Sequence, residues 1–406
     1  MTSGESAEGR ESLPTMPCLA CGADVPAGTY CGACGATQSP SRFGGLASLR
    51  IRAFAAAPNE HVLRPSIATS LFPRVPRRSR SAFRVALIVL LALLVGFALL
   101  RWQPPLIGIS SLGLPLLFIL YLRESDAFRD QSVATLAVTA VLGIGIGIGW
   151  AIATEAIWKR TYDDVLGTPM TTAEQLINLL VIPIGGVLLM LAPVVVLRLV
   201  RPGIRESLDG FVIGALAALC FTGAGVLTRA APEFANGLVA KDFPIDALFA
   251  LAAIRGVAAP LTAAAVGGLV GATLWFRRRA DPRSVQHWYS VTSAAPAVLI
   301  ALFIYVAQNR IDYAWISYSE IVALYALITV LALVTLRVVL HRTLLLETSD
   351  DTSRDEPVLC TQCDHVVPDL AFCANCGIAA HAASRTSRAA RRSHRPIPVD
   401  AAPEGR

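Results

Sequence analysis

The run "VALIVLLALLVGFALL" occupies residues 85–100 and contains neither a charge nor a hydrogen-bonding side chain. A helix apolar on every face is buried or lies in lipid. With a few flanking residues it reaches the roughly 20 needed to cross a hydrocarbon core of about 30 Å. Seven further runs follow, near 106–122, 133–154, 175–198, 210–228, 248–276, 290–307 and 315–339. The pattern predicts an all-α polytopic membrane protein with about eight transmembrane helices in a domain spanning 85–341. Of the 406 residues, 54% are hydrophobic and 16% charged, against about 25% charged in soluble chains. No apolar segment precedes residue 85, so the first run is expected to be a retained signal-anchor helix and not a cleaved signal peptide. The sixth run is too long for one straight crossing. Arg255 and Pro260 interrupt it, which predicts a short lead-in, a break and a crossing from about 257 to 276.

Aromatic residues near the span ends, among them Trp102, Tyr121, Trp150, Trp158, Trp275, Trp288, Tyr305 and Trp315, suit the membrane–water interfaces. Orientation follows from Lys and Arg near those ends. Sixteen lie on the side of the N-terminus: Arg74, Arg77, Arg78, Arg80, Arg84, Arg123, Arg129, Arg198, Arg201, Arg205, Arg277, Arg278, Arg279, Arg283, Arg337 and Arg342. Six lie on the other side: Arg101, Lys159, Arg160, Arg229, Lys241 and Arg310. A multi-pass protein of the cell (inner) membrane is expected, with the N-terminus cytoplasmic. An even number of spans puts the C-terminus there too.

The polar ends carry a second signal. "CLACGADVPAGTYCGACG" (18–35) and "CTQCDHVVPDLAFCANCG" (360–377) share the pattern Cys-x2-Cys-x9-Cys-x2-Cys-Gly. In a reducing cytosol such knuckles bind zinc in preference to forming disulfides. Four thiolates close a tetrahedral site with no open position, so the expected role is structural. Cys18, Cys21, Cys31 and Cys34 are the candidate ligands of one zinc; Cys360, Cys363, Cys373 and Cys376 are those of another. Gly22, Gly35 and Gly377 follow the second cysteine of a knuckle, where the backbone turns tightly; Asp364 takes that place in the fourth. The ninth cysteine, Cys220, sits in an apolar run and needs no role beyond packing. Both quartets look like the short zinc ribbons appended to many prokaryotic membrane and regulatory proteins. Each has few basic or aromatic residues of its own, so protein docking or a self-contained cap is expected of them and nucleic-acid binding is not. Whether the two pair is open at this point.

The ribbons are expected at 17–36 and 359–378. Segments 1–16 and 379–406, rich in Ala, Ser, Arg, Gly and Pro, are expected to be disordered, the second forming a basic tail that reads as a solvated arm, with weak attraction to anionic lipid as the alternative. Residues 37–84 are expected to form a linker and an interfacial arm, and 342–358 an acidic linker.

Inside the membrane, ionisable side chains are costly and mark function. All six histidines lie outside the spans or at their edges. Glu124, Asp126, Asp130, Glu155, Glu174, Asp209, Asp246 and Glu320 fall near span ends or in loops. A buried acid–base pair or a histidine-ligated metal is hard to build from such a set. Glycines are plentiful instead: Gly143/Gly147, Gly145/Gly149 and Gly267/Gly271 stand at i,i+4, the spacing of close helix packing.

"IPIGGVLLMLAPVVVLRLVRPGIRESLDGFVIGALAALCFTGAGVL" (182–227) resembles the PrsW family of intramembrane proteases. The chain shares a frame of Pro183, Asp209, Gly210, Gly214, Phe221, Pro260 and Gly271. The resemblance implies catalytic positions for an acidic pair, a lysine, a glutamate and a histidine. This chain has Gly185 and Gly186, then Leu189 or Met190, then Gly225, then Ala263 there. The resemblance, together with the ribbons and the Ala- and Arg-rich character, points to a group of actinobacterial membrane proteins. The expectation is a catalytically silent scaffold, sensor or regulator with no catalytic residue. Two alternatives stand beside it. An active intramembrane peptidase would use Glu124 and Asp126. A transporter would use the Arg255–Pro260 break as a broken helix.

Overall fold

The computed structural model describes residues 14–19, 22–33, 35–36, 38, 80–124, 131–163, 176–200, 206–235, 237–239, 243–276, 286–312, 314, 316–348, 357–360, 363–377 and 380. They divide into two units. One joins the two ends of the chain, Met1–Pro65 with Thr348–Arg406; the other is its middle, Ser66–Glu347.

The middle unit is helical: α1 (Arg80–Leu99), α2 (Gln103–Glu124), α3 (Val133–Asp163), α4 (Ile177–Val200), α5 (Ser207–Arg229), α6 (Ile245–Trp275), α7 (Gln286–Asp312) and α8 (Tyr318–Thr348). Each is long and apolar enough to cross a membrane. The positions agree with the apolar runs to within several residues. The largest differences are at the end of α3, which runs on to Asp163, and at the end of α8, which enters the stretch expected as acidic linker and stops at Thr348. "TLLLE" (343–347) holds good helix formers and no Gly or Pro, so nothing ends the helix earlier.

Exposed apolar side chains such as Val85, Ile88, Leu116, Val141, Leu199, Phe303 and Leu327 stud the outer helices. In water such a surface would be an aggregation liability; lipid suits it. The centre of the unit is α6 and α5, whose most apolar windows are 83% and 67% buried, against 17–50% for the other six. Small residues explain why. Gly210 and Gly214 of α5 face the backbones of Gly271 and Gly267 of α6, an antiparallel register in which any Cβ would collide with a carbonyl. On another face of α5, Ala217 and Phe221 meet Gly143 and Gly147 of α3, in parallel. The pair Gly145 and Gly149, expected to pack likewise, has nothing within 4 Å. Phe118 of α2 meets Phe211 of α5 edge to face, at 6.2 Å between centroids. The Thr262 hydroxyl of α6 lies 3.0 Å from that of Thr329 in α8.

Two helices contain π turns. Residues Ile254–Ala258 open up inside α6, and Ile177–Val181 begin α4. The Ala259 N–H donates to the Ile254 carbonyl and the Ile182 N–H to that of Ile177, five residues back in each case. A proline stands two positions after each turn, Pro260 and Pro183. In a regular helix the proline ring would strike the carbonyl four residues earlier; the wider turn relieves that conflict. The expected break in α6 is therefore a π turn within one helix that runs from Ile245 to Trp275. Asn309 of α7 serves the second π turn: its Nδ2 donates to Asn178 O at 2.9 Å and to Leu179 O at 3.4 Å. Leu179 O is the carbonyl that Pro183 cannot satisfy.

The end unit is built from two small hairpins. β1 (Thr15–Pro17) pairs antiparallel with β2 (Asp24–Pro26), Met16 opposite Val25. β3 (Pro357–Leu359) pairs in the same way with β4 (Val366–Pro368), Val358 opposite Val367. The Ala27 N–H donates to Pro14 O, so the first module begins at Pro14 and the second at Pro357, slightly before the limits 17 and 359 read from the cysteines. The spacing marks the ligands but not the strand that leads into them. Of the ends expected to be disordered, the interfacial arm and the linker, residues 1–13, 37, 39–79, 349–356, 379 and 381–406 lie outside the described residues; Thr15 and Met16, expected in the disordered end, are strand because they pair with Pro26 and Val25.

Candidate metal centre

All four knuckles turn the chain in one way. The N–H of the residue after the second cysteine donates to the carbonyl of the first: Gly22 to Cys18, Gly35 to Cys31, Asp364 to Cys360 and Gly377 to Cys373, at 2.8–2.9 Å. That residue has positive φ each time, 71° at Gly22, 72° at Gly35, 70° at Gly377 and 54° at Asp364. Glycine adopts this conformation freely, and a short polar side chain tolerates it. The departure of Asp364 from the glycine pattern therefore leaves the turn intact.

In the second module the turns bring Cys360, Cys363, Cys373 and Cys376 together, their Sγ atoms all within 4.8 Å of one another. Cys360 and Cys376 are 3.8 Å apart, Cys363 and Cys373 3.9 Å. Tetrahedral thiolates bound at about 2.3 Å from zinc stand about 3.8 Å apart, so the donor set fits such an ion. The sulfurs pack against Val358 and Val367 as a miniature core. Among these sulfurs the Cys373 thiol is pushed up to about 11, first by its hydrogen bond with Cys360. In the first module, Cys18 and Cys31 are buried and share a core with Val25. Cys21 and Cys34 lie outside the described residues.

The two modules also pack on each other. A residue n of the first corresponds to n+342 of the second. The Tyr30 N–H donates to Ala374 O and the Phe372 N–H to Gly32 O, both at 2.9 Å. Tyr30 corresponds to Phe372 and Gly32 to Ala374, so the two bonds are exchanged by a local pseudo-twofold, as across a symmetric dimer. The apolar contacts obey the same exchange. Gly28 lies against Ala374, and Gly32 against Leu370, the counterpart of Gly28. At these two contacts the first module supplies a glycine against a side chain of the second, and at a third the second supplies Gly377 against the Tyr30 ring.

Within the helical unit, the positions that the PrsW resemblance marks are filled as follows. Gly185 and Gly186 back onto the ring of Trp150. Met190 Sδ accepts from the Tyr305 hydroxyl at 3.2 Å. Gly225 lies beside the Arg229 guanidinium, and Ala263 is wholly buried. Asp209 is buried in the first turn of α5 and Cys220 is half-buried. Glu124 closes α2, and Asp126 lies outside the described residues. Glu206, Glu233 and Asp312 stand outside the set of carboxylates named from the sequence. Asp312 ends α7 and accepts from the Tyr325 hydroxyl at 2.7 Å. The apolar run ends near 307, and the helix continues to Asp312. Compared with protein-family models, with curated proteins and with solved structures, the chain matches none.

Proposed function

We propose that this chain is a multi-pass inner-membrane scaffold or sensor, PrsW-like in its frame and without peptidase chemistry, whose two zinc ribbons form one cytoplasmic docking head. The observation that carries the proposal is the reciprocal pairing of the modules through Tyr30, Gly32, Phe372 and Ala374. Two ribbons that bury their edges on each other make a compact, preorganised surface, which lowers the ordering cost of binding a partner. Such pairing needs both ends of the chain in one compartment, in accord with the even span count and with the Lys and Arg bias toward that side. The repeated knuckle turn supports a second zinc on Cys18, Cys21, Cys31 and Cys34. Structural zinc would supply folding energy to modules too small for a core of their own.

The test is affinity capture from native membranes with the intact chain, beside a variant with all eight ribbon cysteines changed to serine and a Gly28→Ala variant. Partners lost in both, with two zincs per chain in the intact protein and in Gly28→Ala, are the expected outcome. Partners retained in both variants would sink the docking-head reading. Cleavage of a co-reconstituted membrane protein that stops on changing Glu124 would favour the peptidase.

A further inference from the structure

The connection between α5 and α6 is apolar where a loop in water would be polar. Phe234, Leu238, Val239 and Phe243 are each between 43% and 50% exposed, and the stretch "FANGLV" (234–239) carries no charge. Its backbone is nonetheless tied down. Ala231–Ala235 form a 3₁₀ turn. The Gln103 N–H donates to Leu238 O at 3.1 Å, and the Gln103 side-chain amide to Glu233 Oε2 at 3.0 Å. Val239 pairs with Trp102 in an antiparallel bridge. Gly237, at φ 92°, makes the bend between these anchored points. Trp102 itself stacks on Phe97 of α1, with 6.1 Å between centroids.

These bonds hold the loop beside the end of α1. Leu99 and Leu100, more than half exposed, close the apolar surface of that helix just before Trp102 and Gln103. The first part of α6, two residues after Phe243, also packs on α1. The apolar surface that α1 offers to lipid therefore continues onto the loop. Exposed non-helical backbone is not tolerated in the hydrocarbon itself. The boundary between headgroups and acyl chains accepts both a polar backbone and inserted Phe and Leu side chains, and a Trp such as Trp102 belongs at that level. The two helices that the loop joins are the most buried of the eight and have the least lipid contact of their own.

We propose that the α5–α6 connection is an interfacial anchor: Phe234, Leu238, Val239 and Phe243 enter the headgroup–acyl boundary of the bilayer beside the end of α1. The anchor fixes the depth of the two central helices, which their own buried surfaces cannot do.

The test uses the full-length protein in vesicles of phosphatidylcholine and phosphatidylglycerol that include a phospholipid with a photoreactive diazirine close to the acyl ester. Lipid adducts are mapped by mass spectrometry after proteolysis. They are expected on residues 234–243 as well as on Leu99 and Leu100. They are not expected on Leu359 or Val366, which are exposed apolar residues of the ribbons. Joint substitution of Leu238→Glu and Val239→Glu keeps the backbone bonds to Gln103 and Trp102. It should remove most adducts from 234–243 and leave those on Leu99 and Leu100. Adducts on Leu99 and Leu100 with none on 234–243 would overturn the proposal and leave the patch to a protein partner. So would adducts on 234–243 that the double variant does not reduce, or equal labelling of Val366, since apolar exposure alone would then direct the probe.

Discussion

Gly28→Ala isolates the pairing of the ribbons from their folding. A Cβ on Gly28 would stand 2.8 Å from the Ala374 carbonyl oxygen and 2.9 Å from the Ala374 Cβ, nearer than the 3.0 Å that real Cβ atoms essentially never breach. Both neighbours are rigid, so no rotamer relieves the overlap and the modules must shift apart. Overpacking of this kind costs about 1–3 kcal/mol, a factor of about 5–150 in the pairing equilibrium. Gly28 does not have the positive φ found at Gly22, Gly35 and Gly377. Alanine there should therefore stabilise the isolated module by about 0.4–1 kcal/mol through the unfolded chain. The two effects act on different equilibria. Amide hydrogen exchange separates them, since protection follows the free energy of each opening. The Tyr30 and Phe372 amides, which donate the bonds between modules, should lose protection by that factor. Amides of the β1–β2 hairpin should keep theirs or gain. Unchanged protection at both Tyr30 and Phe372 would refute the pairing. Equal loss throughout the hairpin would show that the module had unfolded and that the packing argument was wrong.

Other substitutions probe the metal and the helices. Cys373→Ser should abolish metal binding by the second module, measured as zinc per chain, because a four-thiolate site has no spare ligand. Binding must displace the thiol protons, Cys373 holding its own up to about 11 through Cys360. Affinity measured by chelator competition should therefore fall by up to about tenfold per pH unit, for each proton displaced, as pH is lowered. The sign for the metal-free module is opposite. Its proton is held more tightly folded than unfolded, so that stabilisation is present below pH 9.0 and is lost as pH rises toward about 11. Gly214→Ala would drive a Cβ into the Gly267 carbonyl and should destabilise the unit by about 1–3 kcal/mol, seen as a lower thermal midpoint in detergent. Gly149→Ala, with nothing within 4 Å, should not lower it. Thr329→Val removes bonds to Thr262, to Ala258 O and to Tyr325 O and should cost about 0.5–2 kcal/mol in the same assay.

The eight helices were legible because a membrane span writes its length into the sequence as an uninterrupted apolar run, and all eight runs became helices. Glycine spacing was legible only in part. Gly143/Gly147 and Gly267/Gly271 point at backbones, while Gly145/Gly149 stand on a face that meets no neighbour. Spacing alone gives a face, not what lies opposite. The π turns hid behind ordinary apolar sequence, although a proline two residues after each of them was there to be noticed. Asp312 was lost because hydropathy marks where apolar residues stop, whereas the helix ran on to Asp312. In the ribbons, four cysteines and three glycines named the knuckles. The glycine-for-side-chain match between Gly28, Gly32 and Leu370, Ala374 became visible only once the two modules lay against each other.

That match concerns the order of synthesis. The first ribbon leaves the ribosome long before its partner exists: the 342 residues of offset between them take about 17–70 s to make at about 5–20 residues per second. Throughout that interval the bonds from the Tyr30 amide to Ala374 O and from the Phe372 amide to Gly32 O cannot form. Two copies of the second ribbon would set Leu370 against Ala374 where the native pair offers Leu370 the bare Gly32. The first ribbon is thus a receptor left open for the one segment that appears after the eighth helix. Its pairing waits for Leu370, Phe372 and Ala374, which are made only after the eighth helix.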